Sequence, residues 1–196
     1  MKDGFVNGTW SSLPGRYSVS SGYKWLMGQQ QPVHWYPLIW NRTLIPRHGF
    51  IGWLVVQERL MTKDRLLAFG IITDVACALC SIQNESYHHL FSECIFSTHC
   101  WDLFNEWIGI QIPKARVVDW FLKWRCNSLM KKQIIGAAIV ALWYHIWHAR
   151  NIARLEARVM APRYILSQVK HDIKGRCQER KWTMKISHLP WEPVYA

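Results

Sequence analysis

Residues 77–94 read CALCSIQNESYHHLFSEC, and the rest of the chain can be read outward from them. The stretch sets three thiols and an imidazole in the order Cys-x2-Cys-x8-His-x4-Cys: Cys77, Cys80, His89 and Cys94. Structural zinc is held by four Cys sulfur or His nitrogen atoms, and a Cys-x-x-Cys turn lets two sulfurs reach one ion. Three of the six cysteines of the chain fall in this short segment, so chance clustering is a poor account of them. Two histidines compete for the nitrogen place, His89 with four residues before Cys94 and His88 with five. Four protein ligands leave no place for water, so the spacing reads as a structural centre and not a catalytic one. Three thiolates around Zn²⁺ leave one net negative charge, with Glu85 and Glu93 close in sequence. Such a surface suits phosphate poorly.

The flanks read as helices. After the cluster, Ser97 can cap a helix in which Trp101, Phe104, Trp107 and Ile108 form one stripe, ended by Gly109. Val117, Val118, Trp120, Phe121 and Trp124 mark another, and the longest helix is expected over 128–159. Before the cluster, Thr62 caps a helix over 63–69 with Gly70 as its stop. Pro46 opens one that carries Phe50, Trp53 and Leu54, and Ser18 or Ser20 opens one that runs to Gly28. Residues 29–37 read as a linker. Thr9-Trp10, a Pro14-Gly15 turn and Arg16 to Val19 read as a small hairpin. The fold class expected is mostly α: a small N-terminal β-hairpin, a zinc-stapled helical domain over 1–110, and a long C-terminal helix in a basic extension over 111–196.

Residues 134–146, IIGAAIVALWYHI, are apolar but few, bounded by Lys131-Lys132 in front and His148 and Arg150 behind. A membrane span needs about 20 apolar residues, so a buried core helix is expected here. Half the residues are hydrophobic and thirteen are Trp, which is ample for a packed core. The opening MKDGFVNGTW has no apolar run, so no secretory signal is expected. The six cysteines then point to a reducing compartment, nuclear or cytoplasmic.

Several further residues carry a resemblance. They include Trp10, Gly15-Arg16-Tyr17-Ser18-Val19, Ile39-Trp40, Pro46, Trp53-Leu54 and Arg59-Leu60-Met61-Thr62-Lys63-Asp64-Arg65-Leu66. Cys77-Ala78-Leu79-Cys80, Glu85, His89-Leu90-Phe91, Cys94, Trp101 and, further on, Ile146-Trp147 with Arg150-Asn151 extend it. Together they resemble the zinc-binding domain that follows the reverse transcriptase in plant LINE-type (non-LTR) retrotransposons. The resemblance selects His89, followed by Leu-Phe, over His88. It implies zinc as the cofactor, and in the family the domain is thought to assist the polymerase by contacting nucleic acid. It also implies a module without the polymerase and RNase H catalytic parts. No Tyr-x-Asp-Asp is present, so no enzyme activity is expected.

The net charge is +11, and residues 1–110 contribute none of it, with eight basic and eight acidic residues. The excess lies in the C-terminal half. Arg150, Arg154 and Arg158 recur at one-turn spacing, and Lys170, Lys174, Arg176, Arg180 and Lys181 follow. Such a series can pair with phosphates and release counterions. These eight residues are the candidates for RNA or DNA contact. The function expected is a zinc-binding, non-catalytic module that assists nucleic-acid binding, with a reverse transcriptase in trans as a further partner and no small-molecule substrate. The alternative is a structural or protein-interaction module, or a decayed element with no retained activity.

Overall fold

The computed structural model describes residues 5–6, 9–10, 19–28 and 33–179. The chain divides into two compact units, Met1–Val33 and a second that begins at His34. In the first, two-residue strands β1 (Phe5–Val6) and β2 (Thr9–Trp10) pair antiparallel, Phe5 opposite Trp10. Helix α1 (Val19–Met27) follows, closed by Gly28 at φ +65°. The hairpin expected over 9–19 is therefore not supported. Thr9-Trp10 pairs backwards, Val19 opens a helix, and residues 11–18 lie outside the described residues. As sequence, Asn7-Gly8 is a stronger two-residue hairpin signal than Pro14-Gly15. Two paired residues per strand make no sheet of consequence, and the molecule is helical.

The second unit contains α2 (Tyr36–Ile39), α3 (Pro46–Val56), α4 (Lys63–Ala68), α5 (Ile95–Ile108), α6 (Val117–Lys123), α7 (Leu129–Glu156) and α8 (Pro162–Glu179). The long helix α7 is its axis. Ser128 caps it, its Oγ accepting from the Lys131 N–H at 3.2 Å. It stops at Ala157, which takes a left-handed φ of 52°. The helix is thus shorter than expected, and Arg158 falls beyond its end.

Residues 134–143 of α7 are buried on every side. That explains an apolar run without amphipathic periodicity: a helix that is hydrophobic all round is one surrounded by others. Helices α2, α3, α5 and α8 pack against it. Among the described residues no helix is long and apolar enough to cross a membrane.

Two glycines set how closely the neighbours approach. A Cβ at Gly52 of α3 would lie 2.6 Å from Val140 Cγ1, and one at Gly136 of α7 would lie 3.0 Å from the Phe121 ring of α6. By propensity alone Gly52 weakens its helix; the packing needs it there.

Helix α8 is an element that the sequence shows first through its charge. Pro162 opens it, and Ile165, Leu166, Val169, Ile173 and Cys177 are buried at helical spacing. Helix α5 packs on α8 and α3 on α7, so the packing crosses the boundary expected between residues 110 and 111.

Candidate metal centre

The cluster is built by three short pieces of backbone. Arms 75–77 and 83–85 run antiparallel, joined by a bridge between Ala76 and Asn84. The Cys77 N–H donates to the Gln83 carbonyl and the Glu85 N–H to the Val75 carbonyl, each at 2.8 Å. Between the arms, the Ser81 N–H closes on the Cys77 carbonyl at 2.8 Å, with Ser81 at φ 57°. This turn brings the Cys77 and Cys80 sulfurs to one side. The third piece is a π-turn over His89–Glu93, closed by the Cys94 N–H on the His89 carbonyl at 2.7 Å. A regular α-helix would rotate residues five apart by about 140°. The wider turn keeps His89 and Cys94 facing the same point.

The resulting geometry fits zinc. The four donor atoms lie within 4.8 Å of one another. Cys77 Sγ is 3.9 Å from Cys94 Sγ, and Cys80 Sγ is 3.3 Å from His89 Nε2. Tetrahedral zinc with bonds of about 2.3 Å to sulfur and about 2.1 Å to nitrogen spaces such atoms about 3.8 and about 3.6 Å apart. His89 Nδ1 sits 2.9 Å from Gln83 Oε1. Donating that proton leaves the Nε2 lone pair for the metal, the usual arrangement around a ligating imidazole. His88 is exposed, with its ring against Tyr87, and does not join the group.

The thiols are poised unequally. The hydrogen bond to Cys94, with burial second, pushes the Cys77 thiol up. The same bond pulls Cys94 down, helped by the backbone amides of Ser97 and Phe96. Zinc takes Cys77, Cys80 and Cys94 as thiolates, so binding releases the protons that these thiols carry.

The centre is tied to the helices at two levels. Leu90 and Phe91 are buried, the Ser97 hydroxyl donates to the Leu90 carbonyl at 2.6 Å, and the Trp101 indole donates to the Phe91 carbonyl at 3.1 Å. Ser97 therefore works inside α5 and not as its cap, a place taken by Cys94.

Glu85 is fully buried, and its Oε1 accepts from Arg150 Nε at 2.9 Å, Arg150 Nη2 at 2.6 Å and the Lys63 N–H at 2.9 Å. One carboxylate thus joins the metal loop, the start of α4 and helix α7. It also does the capping expected of Thr62, whose side chain makes no cap bond. Glu85 and Arg150 are both among the residues that carry the resemblance, but the sequence holds no signal that they pair across 65 positions.

That pairing corrects the basic series. Arg150 is 1 % exposed, and its guanidinium lies over the Trp147 ring at 4.8 Å, so it is removed from any phosphate. Arg176 is likewise engaged, donating to the carbonyls of Arg42, Thr43 and Leu44 and to Glu179. Arg154 and Lys174 are exposed, and Arg158 is exposed beside Glu156 at 3.1 Å. Lys170 is half-buried over the Trp107 ring, and Arg180 and Lys181 lie outside the described residues.

Residues 17–101 match the family model described as zinc-binding in reverse transcriptase. No curated protein and no solved structure gives a significant match. The matched segment contains all four cluster residues, and the match supports a reverse transcriptase zinc-binding domain there. That family is a zinc-binding domain, distinct from the catalytic domain of the polymerase. Cys77, Cys80, His89 and Cys94 form a cluster able to hold the zinc ion.

Proposed function

We propose that this chain is a non-catalytic module of the kind that follows the polymerase in plant LINE-type retrotransposons, and that it assists RNA or DNA binding through its C-terminal half. Cys77, Cys80, His89 and Cys94 hold the zinc, which fixes the loop and leaves no open coordination place for chemistry. The observation that carries the nucleic-acid role is the outer side of α8. Arg163 and Lys174 stand eleven residues apart, which aligns them on the exposed side of α8 away from buried Ile165 and Val169, and half-buried Lys170 lies at the edge of that side over the Trp107 ring. Exposed Arg154 and Arg158 add to it from the end of α7. The thiolates call for a reducing compartment, nuclear or cytoplasmic.

Fluorescence anisotropy of zinc-loaded protein on single-stranded RNA and duplex DNA, across a salt series, tests this reading. The double variant Arg163→Glu/Lys174→Glu is expected to bind more weakly. Its salt slope should shrink by about 0.7 on single strands, or about 0.9 on duplex, for each phosphate that the variant no longer neutralises. No binding by the zinc-loaded wild type at low salt would remove the nucleic-acid role.

A second reading has one observation in its favour. Tyr36, Trp40 and Phe50 on and beside α2 and α3 are each more than half exposed. They offer an apolar surface to a protein such as a reverse transcriptase in trans, whose binding would survive the charge reversals on α8.

A further inference from the structure

Outside the cysteine centre, the described residues hold one other group of side chains whose metal-binding atoms converge: His48 of α3, His145 of α7 and Asp172 of α8. We propose that these three form a second site for a divalent transition metal, zinc or its cobalt surrogate, that ties the three helices together.

The donor atoms lie within 4.8 Å of one another. His145 Nε2 donates to Asp172 Oδ2 at 2.7 Å, and His48 Nε2 lies 3.5 Å from the same oxygen. That second approach makes no hydrogen bond, and His48 Nε2 is a buried nitrogen without a partner. His48 is 1 % exposed and His145 8 %. A buried polar atom left unpaired is costly, and native structures supply it with a partner. A metal ion held by Asp172 and both imidazoles supplies one.

The chemistry of the set is consistent. Two imidazoles and a carboxylate suit borderline divalent ions such as zinc and cobalt. A ligating imidazole must be neutral, and burial holds both rings in that form, His48 at about 4 and His145 below its ordinary value. On binding, His145 stays neutral and moves its single proton from Nε2 to Nδ1, which frees the Nε2 lone pair for the ion; no proton is released overall and no electron is transferred. Arg47, whose guanidinium lies 5.5 Å over the Tyr144 ring, adds positive charge nearby. This site therefore binds more weakly than the thiolate centre. Asp172 and the two histidines come from helices that no spacing rule connects, so the site is distinct from the Cys-x2-Cys cluster in every residue.

Titration of the metal-free protein with Co²⁺ under reducing, anaerobic conditions tests the proposal. Two equivalents are expected. The first brings sulfur-to-cobalt charge transfer, and the second brings only weak ligand-field absorption without further sulfur bands. His48→Gln and Asp172→Asn should each lower the count from two to one and leave the sulfur bands in place. A folded wild type that stops at one equivalent overturns the proposal. So does a second equivalent that intensifies the sulfur bands, or one that persists in both variants. If a variant does not fold, the wild-type count and the spectrum of its second equivalent decide. Absence of the sulfur bands would count against the cysteine centre alone, so the two sites fail separately.

Discussion

The metal loop and helix α7 are held together by opposite means. Between residues 75 and 94 the loop relies on a few backbone hydrogen bonds and on its four ligands, and residues 81–84 at its tip are exposed. Helix α7 relies on apolar area: Ile139, Leu142 and Ile146 are fully buried, and each such side chain contributes about 1.5–3 kcal/mol. The loop is thus a ligand-dependent structure leaning on a ligand-independent one. Among the described residues the two meet at a polar joint, Glu85 with Arg150. The contrast predicts which perturbations stay local and which cross the joint.

The largest effect is expected from removing zinc. In zinc-finger peptides the metal contributes about 10–16 kcal/mol at neutral pH, as much as the whole stability of a typical domain at about 5–15 kcal/mol. Chelation, or Cys77→Ser, should strip hydrogen-exchange protection from residues 60–110 while the centre of α7 stays protected. Equal deprotection of both regions would show that they form one cooperative unit and break the comparison.

The next effect belongs to the joint. Arg150→Met leaves Glu85 buried without its partner, which costs about 3–5 kcal/mol. Adding Glu85→Gln should recover part of this, since an unpaired amide is cheaper to bury than a carboxylate. The denaturant midpoints of the two single variants and the double variant give the coupling directly. An additive pair would mean that the loop is anchored by its apolar residues alone.

The smallest effect tests α7 by itself. Gly52→Ala puts a Cβ 2.6 Å from Val140 Cγ1, and overpacking of this kind costs about 1–3 kcal/mol. Val140→Ala should relieve the clash in the double variant. The sulfur-to-cobalt bands of the cysteine centre should not change, because the strain lies between α3 and α7. A loss of those bands in Gly52→Ala would extend the joint well beyond Glu85.

How much could be read without coordinates differs along the same line. Cys77, Cys80, His89 and Cys94 were legible because their ligand geometry is set by short stretches of chain, where spacing nearly determines distance. The helices α3, α5 and α7 were legible for a similar reason, since caps and apolar periodicity act within a turn or two. The N-terminal hairpin expected over 9–19 is not supported: Val19 opens a helix, and the sequence offers competing turn signals there, Asn7-Gly8 and Pro14-Gly15.

What only the tertiary structure decided is the fate of side chains that look alike in sequence. Arg150 and Arg154 share a helix and a spacing. One turns inward to a carboxylate 65 positions away and the other stays in solvent. Helix α8 was hidden by its charge until its apolar side found α5 and α7. His48, His145 and Asp172 carry no common spacing at all and meet only because three helices cross. The sequence by itself determined what chemistry each local segment offers. Long-range packing chose which of those groups are buried together, because desolvation makes each buried charge seek a partner wherever in the chain that partner lies.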